Sequence, residues 1–182
     1  MNTFIYLLIG HFYADYPFQS SRLAEYKKKN VLGVIVHAGM HFITSLIVFY
    51  PLLGVQGVWV GLVTVFITHG VIDQTKIFLN KRNPLWTLPL YFIDQATHIG
   101  VAYLISRSIG VLDTSGLPSL RFFYQNDSVA LFILLLPVVT YFYDVTRQII
   151  RHHKGVPFKR DYQMMVQNAI IVTAAFAMYW LS

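Results

Sequence analysis

Hydrophobic residues along this chain fall into six long runs that are separated by short polar stretches. A membrane-spanning helix needs about 20 mostly apolar residues, with roughly 17 to 25 acceptable. The pattern therefore predicts an all-α fold, a polytopic membrane helix bundle of six transmembrane helices in a single domain, residues 1–182. The predicted spans are residues 2–19, 31–51, 55–78, 86–108, 128–149 and 164–182.

The polar stretches between the runs differ in length and character. SSRLAEYKKKN, which follows the first run, is expected to lie along the membrane interface as a helix. Residues 109–127 form the longest predicted loop, and RHHKGVPFKRD links the last two spans. The first run has no Lys or Arg before it and no small-residue cleavage pattern after it. We therefore expect it to be a membrane helix and not a cleaved signal peptide.

Four of the runs each carry two polar side chains that are four residues apart. In an α-helix, residues i and i+4 project from the same face one turn apart, so each pair can direct two donor groups toward one point. One such pair would mean little, but these four lie in consecutive runs. They are His11 with Asp15, His37 with His41, His69 with Asp73, and Asp94 with His98.

Basic residues are distributed unevenly among the polar stretches. Twelve of the fourteen Lys and Arg residues follow the first, third or fifth span, and only Arg107 and Arg121 lie on the other side. The positive-inside rule then predicts that both termini are outside and that the basic loops are cytoplasmic. The net charge of +6 is thus a signal of topology, and we expect no nucleic-acid partner. On this orientation all four polar pairs fall in the cytoplasmic half of the bilayer.

Ionisable residues inside membrane spans are costly and normally face the interior of the bundle, either paired or functional. One interpretation of the eight groups is ordinary interhelical hydrogen bonding, but eight groups at one depth favour a metal site. The chain has no Cys, which excludes thiolate sites. Imidazole and carboxylate ligands fit Zn, Mn or Fe. Eight ligands exceed what one catalytic zinc uses, so we expect one or two divalent ions, with Asp15 and Asp94 as candidate catalytic groups.

The scarcity of glutamate excludes one familiar metalloenzyme class and argues against another. The segment HAGMH, residues 37–41, has the histidine spacing of a zincin protease but no Glu after the first His, so the catalytic base is missing. Glu25 is the only glutamate in the chain, whereas four-helix di-iron sites depend on several glutamates.

Other charged residues near the span ends have simpler interpretations. Asp144 and Arg147 are three residues apart, and we expect them to form an ion pair, with Asp144 supporting the metal ligands as the alternative. Lys76 follows Asp73 by three residues and is expected either to extend to the interface or to bind a substrate phosphate. His152 and His153 lie in a basic loop and are expected to be solvated.

Four motifs resemble those of a family of small multi-pass bacterial membrane proteins known as domain of unknown function 3307. They are GHFYADYPFQ at residues 10–19, HAGMH at 37–41, HGVIDQTK at 69–76 and FIDQATH at 92–98. The resemblance covers about the first 110 residues and implies a location in the bacterial inner (cytoplasmic) membrane. A looser similarity to membrane-bound metal-dependent hydrolases implies hydrolysis of a phosphoester or lipid, although the HR and THS motifs of those enzymes are absent.

The first functional hypothesis is therefore a metal-dependent hydrolase that acts at the cytoplasmic side of the membrane. The alternatives are a divalent-metal transporter, a bis-histidine haem protein, and a non-catalytic membrane protein with a structural metal. Transport needs polar access from both faces, and haem ligation leaves the carboxylates unexplained. The expected partners are membrane lipids and a phosphorylated or lipid substrate, and the chain could form a homo-oligomer.

Overall fold

The computed structural model describes residues 2–116 and 121–181, and these residues are all-α. Helices α7 and α8 are joined by a π-helical turn, Val138–Phe142, and form one continuous helix, so the described residues contain eight helices. Short 3₁₀ turns follow α3 and α4 at Tyr50–Leu52 and Pro84–Trp86. The α-helices are α1 (Thr3–Asp15), α2 (Ser21–Lys29), α3 (Val31–Phe49), α4 (Val58–Arg82), α5 (Thr87–Ile109), α6 (Arg121–Tyr124), α7 (Asp127–Pro137), α8 (Tyr143–His153) and α9 (Tyr162–Leu181).

Polar caps set the beginnings of several helices. The Ser20 hydroxyl accepts the Leu23 N–H at 3.2 Å at the start of α2, and the Asn30 side chain accepts the Leu32 N–H at 2.9 Å at the start of α3. Such caps satisfy backbone donors that have no partner within the helix. The helix predicted for SSRLAEYKKKN is confirmed as α2, but α6 was not predicted and lies in the expected long loop.

The prediction of six membrane spans was wrong. Within the described residues, four helical segments are long and apolar enough to cross a membrane: Val31–Leu52, Val58–Arg82, Asp127–His153 and Tyr162–Leu181. Helix α1 has 13 residues and rises only about 20 Å, less than the roughly 30 Å hydrocarbon core. Helix α5 is long enough, but its polar residues lower its mean hydropathy. Four candidate spans still indicate a multi-pass membrane protein, while the orientation of the termini stays a prediction.

The short helix α1 lies inside the bundle, in contact with α3, α5 and α7, and α3 and α5 both pack on α4. One end of this bundle is an apolar core built from the N-terminal parts of α1 and α4 and the C-terminal parts of α3 and α5. The paired polar residues occupy the opposite part of each helix. Consecutive long helices therefore alternate in direction, which brings all four pairs to one end. The core includes Tyr6, Leu7, Ile9, Phe49, Leu52, Val58, Leu62, Ala102 and Ile105.

Two glycines allow close helix packing beside the polar pairs. A Cβ atom at Gly10 of α1 would lie 2.9 Å from the Ser45 hydroxyl of α3, so the two backbones approach closely there. A Cβ atom at Gly33 would lie 2.6 Å from the backbone nitrogen of Lys27 in α2. Small residues at helix contacts are a common device in membrane bundles. At Gly33 the consequence is that α2 folds back against the first turn of α3.

We expect a Gly33→Ala substitution to displace α2, because the added methyl group would overlap backbone atoms that cannot move independently. Overpacking of this kind costs about 1–3 kcal/mol, which would lower the melting temperature in mild detergent by roughly 5 °C. Gly39→Ala is the matched control, since a Cβ atom at this position of the same helix meets nothing within 4 Å. Equal melting temperatures for the Gly33→Ala and Gly39→Ala proteins would contradict a close approach of α2 to Gly33.

Candidate metal centre

All four polar pairs meet at one end of the bundle. Histidine nitrogen and carboxylate oxygen atoms lie within 4.8 Å of one another in three overlapping groups, which share His69 and His98. Every member of these groups has a side chain that is at most 8% exposed. The groups are Asp15 with His37, His41 and His69; His11 with His69 and His98; and Asp73 with Asp94 and His98. The eight residues singled out as metal ligands are therefore brought together.

Asp15, the last residue of α1, is the carboxylate with the most histidine neighbours. Its Oδ1 atom lies 3.0 Å from His37 Nε2, 3.1 Å from His41 Nε2 and 3.9 Å from His69 Nε2. Its Oδ2 atom lies 3.5 Å from His11 Nε2, one helical turn earlier. One carboxylate thus connects imidazoles from α1, α3 and α4.

A second carboxylate region involves α4 and α5. Asp73 Oδ2 lies 3.5 Å from His37 Nε2 and 3.8 Å from His69 Nε2, and its Oδ1 lies 4.0 Å from His98 Nε2. His98 Nε2 is also 3.6 Å from Asp94 Oδ1. The distance between ring centroids is 4.0 Å for His69 and His98. The two carboxylate regions are therefore continuous through His69 and His98, and the donor set is large enough for one ion or two.

Several histidine nitrogens and one carboxylate oxygen of the centre are buried and lack any hydrogen-bond partner among the described residues. They are Nε2 of His11, His69 and His98, Oδ1 of Asp94, and Nδ1 of His37 and His41. A buried polar atom without a partner costs about 1–3 kcal/mol, and native proteins rarely leave several such atoms side by side. Coordination of a divalent metal would satisfy the three Nε2 atoms and Asp94 Oδ1, because neutral imidazole nitrogens and carboxylate oxygens are its normal ligands. The residues present thus fit a metal of the predicted class.

Two lysines pair with the carboxylates at the edge of the centre. Lys76 Nζ lies 2.7 Å from Asp94 Oδ2, and Lys27 Nζ of α2 lies 2.8 Å from Asp73 Oδ2. Their side chains are 24% and 14% exposed, more than any histidine or aspartate of the centre. Lys76 is paired with Asp94 on the neighbouring helix, while its extension to the interface and its binding of a substrate phosphate stay predictions. With neutral imidazoles the three carboxylates and two ammonium groups leave a net charge of −1, which favours a cation.

Sequence reasoning did not identify Lys27 as part of the site, because it was one of three consecutive lysines in a polar segment. Gly33, six residues later, was the available signal, since a glycine at the start of a membrane helix permits a close approach of the preceding segment.

Polar residues of α5 and α1 support the aspartates. Gln95 Nε2 donates to Asp94 Oδ2 at 3.2 Å and to Asp15 Oδ2 at 3.4 Å, while its Oε1 atom accepts the Tyr16 hydroxyl at 3.2 Å. The Tyr16 hydroxyl also lies 3.3 Å from that of Tyr91. These bonds fix the carboxylate orientations, as outer partners of metal ligands do.

The comparisons with known proteins bear on the first two thirds of the chain. Residues 3–130 match the profile of a family described as "Protein of unknown function (DUF3307)". The chain belongs to this DUF3307 family. The match confirms the resemblance inferred from the four motifs and extends it beyond residue 110 to the start of α7. No curated protein and no solved structure matches the chain.

All eight candidate ligands lie within the DUF3307 match, whereas Asp144 and Arg147 lie outside it. The predicted ion pair between these two residues was wrong. Arg147 Nη2 instead lies 2.6 Å from Asp161 Oδ2, and Asp144 Oδ2 lies 3.6 Å from Arg160 Nη1. The linker after α8 folds back and supplies both partners. His152 and His153 are exposed, as predicted.

Proposed function

We propose that this DUF3307 protein is a membrane metalloenzyme that hydrolyses a phosphoester or a lipid-like ester at the cytoplasmic side of the inner membrane. The observation that supports the proposal is the buried concentration of five histidines and three aspartates, with several donor atoms lacking a partner. Zn, Mn and Fe each suit this donor set, and one or two ions fit within it.

A divalent metal bound here would polarise the ester oxygen and lower the pKa of a coordinated water. The histidines of α3 and α4, together with Asp15, would hold one ion, and His98 with Asp73 and Asp94 would hold that ion or a second one. Asp15 or Asp94 would accept the proton from the attacking water, since both carboxylates lie among the metal ligands. Gln95 bonds to both carboxylates and would keep their orientation fixed during this proton transfer.

The lysines at the edge support an anionic substrate. Lys27 and Lys76 are the more exposed members of the site, so a substrate that enters from this side meets two ammonium groups first. Were Asp73 and Asp94 to hold a metal, their charge would be shared with it, and Lys27 and Lys76 would be available to bind a phosphoryl oxygen. This order of events would couple metal loading to substrate binding.

Transport of a divalent metal is the alternative function, and the apolar end of the bundle argues against it. A transported ion needs polar groups on both sides of the centre. Beyond the centre the same helices pack Leu7, Phe49, Leu62 and Ile105 into a continuous apolar core. A hydrolase needs access from one side only, which agrees better with this arrangement.

Activity is tested with the full chain purified in mild detergent, without a polyhistidine tag, and loaded with Zn, Mn or Fe. The assay measures release of nitrophenol from p-nitrophenyl phosphate and bis-p-nitrophenyl phosphate. We expect metal-dependent hydrolysis that Asp94→Asn lowers by about 100-fold or more, because loss of a general base or metal ligand has effects of this size.

Asp113→Asn is the control for this assay, since Asp113 is an exposed loop carboxylate with no contact to the centre. Equal hydrolysis by the Asp94→Asn and wild-type proteins would overturn the proposal. Hydrolysis that is absent from all proteins, together with zinc uptake into liposomes that Asp94→Asn abolishes, would instead support transport.

A further inference from the structure

A polar cavity of about 390 Å³ lies where α8 ends and α9 begins, away from the metal centre. None of its lining residues belongs to the metal centre. The last turns of α8 contribute Arg147 and Arg151, and the linker contributes Lys159 and Arg160. We call these four residues and the space between them the linker cavity. It lies beyond residues 3–130, so the family match assigns it no role.

The linker cavity carries an excess of positive charge. Arg147 pairs with Asp161 at 2.6 Å, and Arg160 pairs with Asp144 at 3.6 Å. The hydrogen bond from the Met164 N–H and the pairing with Arg147 lower the pKa of Asp161, which therefore stays ionised. Arg151 and Lys159 have no carboxylate within 4.0 Å in the part of the chain that the structure describes. Two unneutralised cations thus line the same cavity.

The paired arginines also retain free hydrogen-bonding capacity. Arg147 Nε and Arg160 Nη1 are buried and have no hydrogen-bond partner among the described residues. A buried guanidinium N–H without an acceptor is costly, and a protein carboxylate uses only part of the five donors of an arginine. The side chains of Arg147 and Arg160 are still 31% and 27% exposed, so their accessible N–H groups can donate to an additional oxyanion in the cavity.

We propose that the linker cavity binds a phosphate group, carried either by an anionic lipid headgroup or by a free phosphate ion. Arginine forms two parallel hydrogen bonds to phosphate, and two arginines with two unpaired cations match the charge of a phosphate monoester. The candidate span Asp127–His153 ends at this cavity, and the span Tyr162–Leu181 begins there. In a membrane the cavity would therefore lie at the level of the lipid headgroups. Basic pockets between membrane helices are known to bind such headgroups.

The test measures binding to the full chain in mild detergent. Dihexanoyl phosphatidic acid is the lipid probe, monitored by native mass spectrometry, and radiolabelled inorganic phosphate is the soluble probe, monitored by equilibrium dialysis. We expect Arg151→Ala combined with Lys159→Ala to weaken binding by about 30-fold. Each basic residue near a lipid headgroup raises the affinity by about 5.5-fold, and the two losses multiply. Both side chains are exposed and unpaired, so the variant should fold normally.

Lys29→Ala combined with Lys81→Ala is the matched control, because it removes two exposed cations that do not line the cavity. Lipid binding that inorganic phosphate does not displace identifies a headgroup site, and displacement by similar phosphate concentrations identifies a free-phosphate site. Both outcomes support the proposal. Equal binding by the two double variants, or equal binding of dihexanoyl phosphatidylcholine and phosphatidic acid, would overturn it.

Discussion

An Asp15→Asn variant, purified without a polyhistidine tag, is expected to retain less than about one tenth of the metal bound by the wild-type chain. Asparagine keeps the shape of the side chain but loses the charge that faces His37, His41 and His69. Loss of an outer partner of a ligand already lowers metal affinity 10- to 100-fold, and a carboxylate among the ligands should matter at least as much. Elemental analysis of the protein after size-exclusion chromatography measures the effect.

Asp127→Asn is the control for this measurement, because Asp127 is an exposed carboxylate at the start of α7. A second variant, His69→Gln, removes the imidazole that two of the three ligand groups share and should lose metal to a similar extent. If both variants elute as folded protein and carry as much metal as the wild type, the cluster is not the metal site.

Removal of the metal by a chelator is expected to lower the melting temperature by about 10 °C. A ligand at roughly 1,000 times its dissociation constant stabilises the folded state by about 4 kcal/mol. In a chain of this size each kcal/mol shifts the melting temperature by about 2–4 °C. The physical reason is that the metal-free centre buries His11 Nε2, His69 Nε2 and His98 Nε2 without partners. Thermal unfolding in detergent, followed by intrinsic fluorescence, measures the shift.

The His69→Gln variant separates this effect from nonspecific action of the chelator. It should melt at the same temperature with and without chelator, and re-addition of metal should restore only the wild-type protein. A wild-type melting temperature that stays constant while elemental analysis shows complete metal loss would contradict a stabilising metal in this cluster.

Helical periodicity was sufficient to predict that these eight His and Asp side chains lie close together. His11 and Asp15, or Asp94 and His98, share a face because four residues make about one helical turn, and neighbouring antiparallel helices then bring the faces together. The ion pairs of Lys27 with Asp73 and of Arg160 with Asp144 were not predictable in this way, because each lysine or arginine lies in a segment that folds back against a helix. Such contacts are set by tertiary packing and leave no periodic signal. For the same reason Arg147, three residues from Asp144, pairs with Asp161 instead.

The number of spans could not be read from hydropathy because burial inside a bundle and burial in lipid select similar residues. Helix α1 is as apolar as a membrane helix, but α3, α5 and α7 enclose it, so it needs no full span. Helix α5 is the opposite case. Asp94 and His98 lower its hydropathy, although neighbouring helices bury both side chains, so its hydropathy does not report whether it crosses the membrane.

The length of α1 also affects how ions reach the centre. At about 20 Å, this helix is some 10 Å shorter than a bilayer core, and its last residue is Asp15. Because α3, α5 and α7 enclose α1, this difference in length falls inside the bundle, at its polar end, where Lys27 of α2 pairs with Asp73. Lys27 and Lys76 are the most exposed side chains at this end of the site. A metal ion that enters from this end would pass these two ammonium groups, and its occupancy would follow the concentration of free ion on that side.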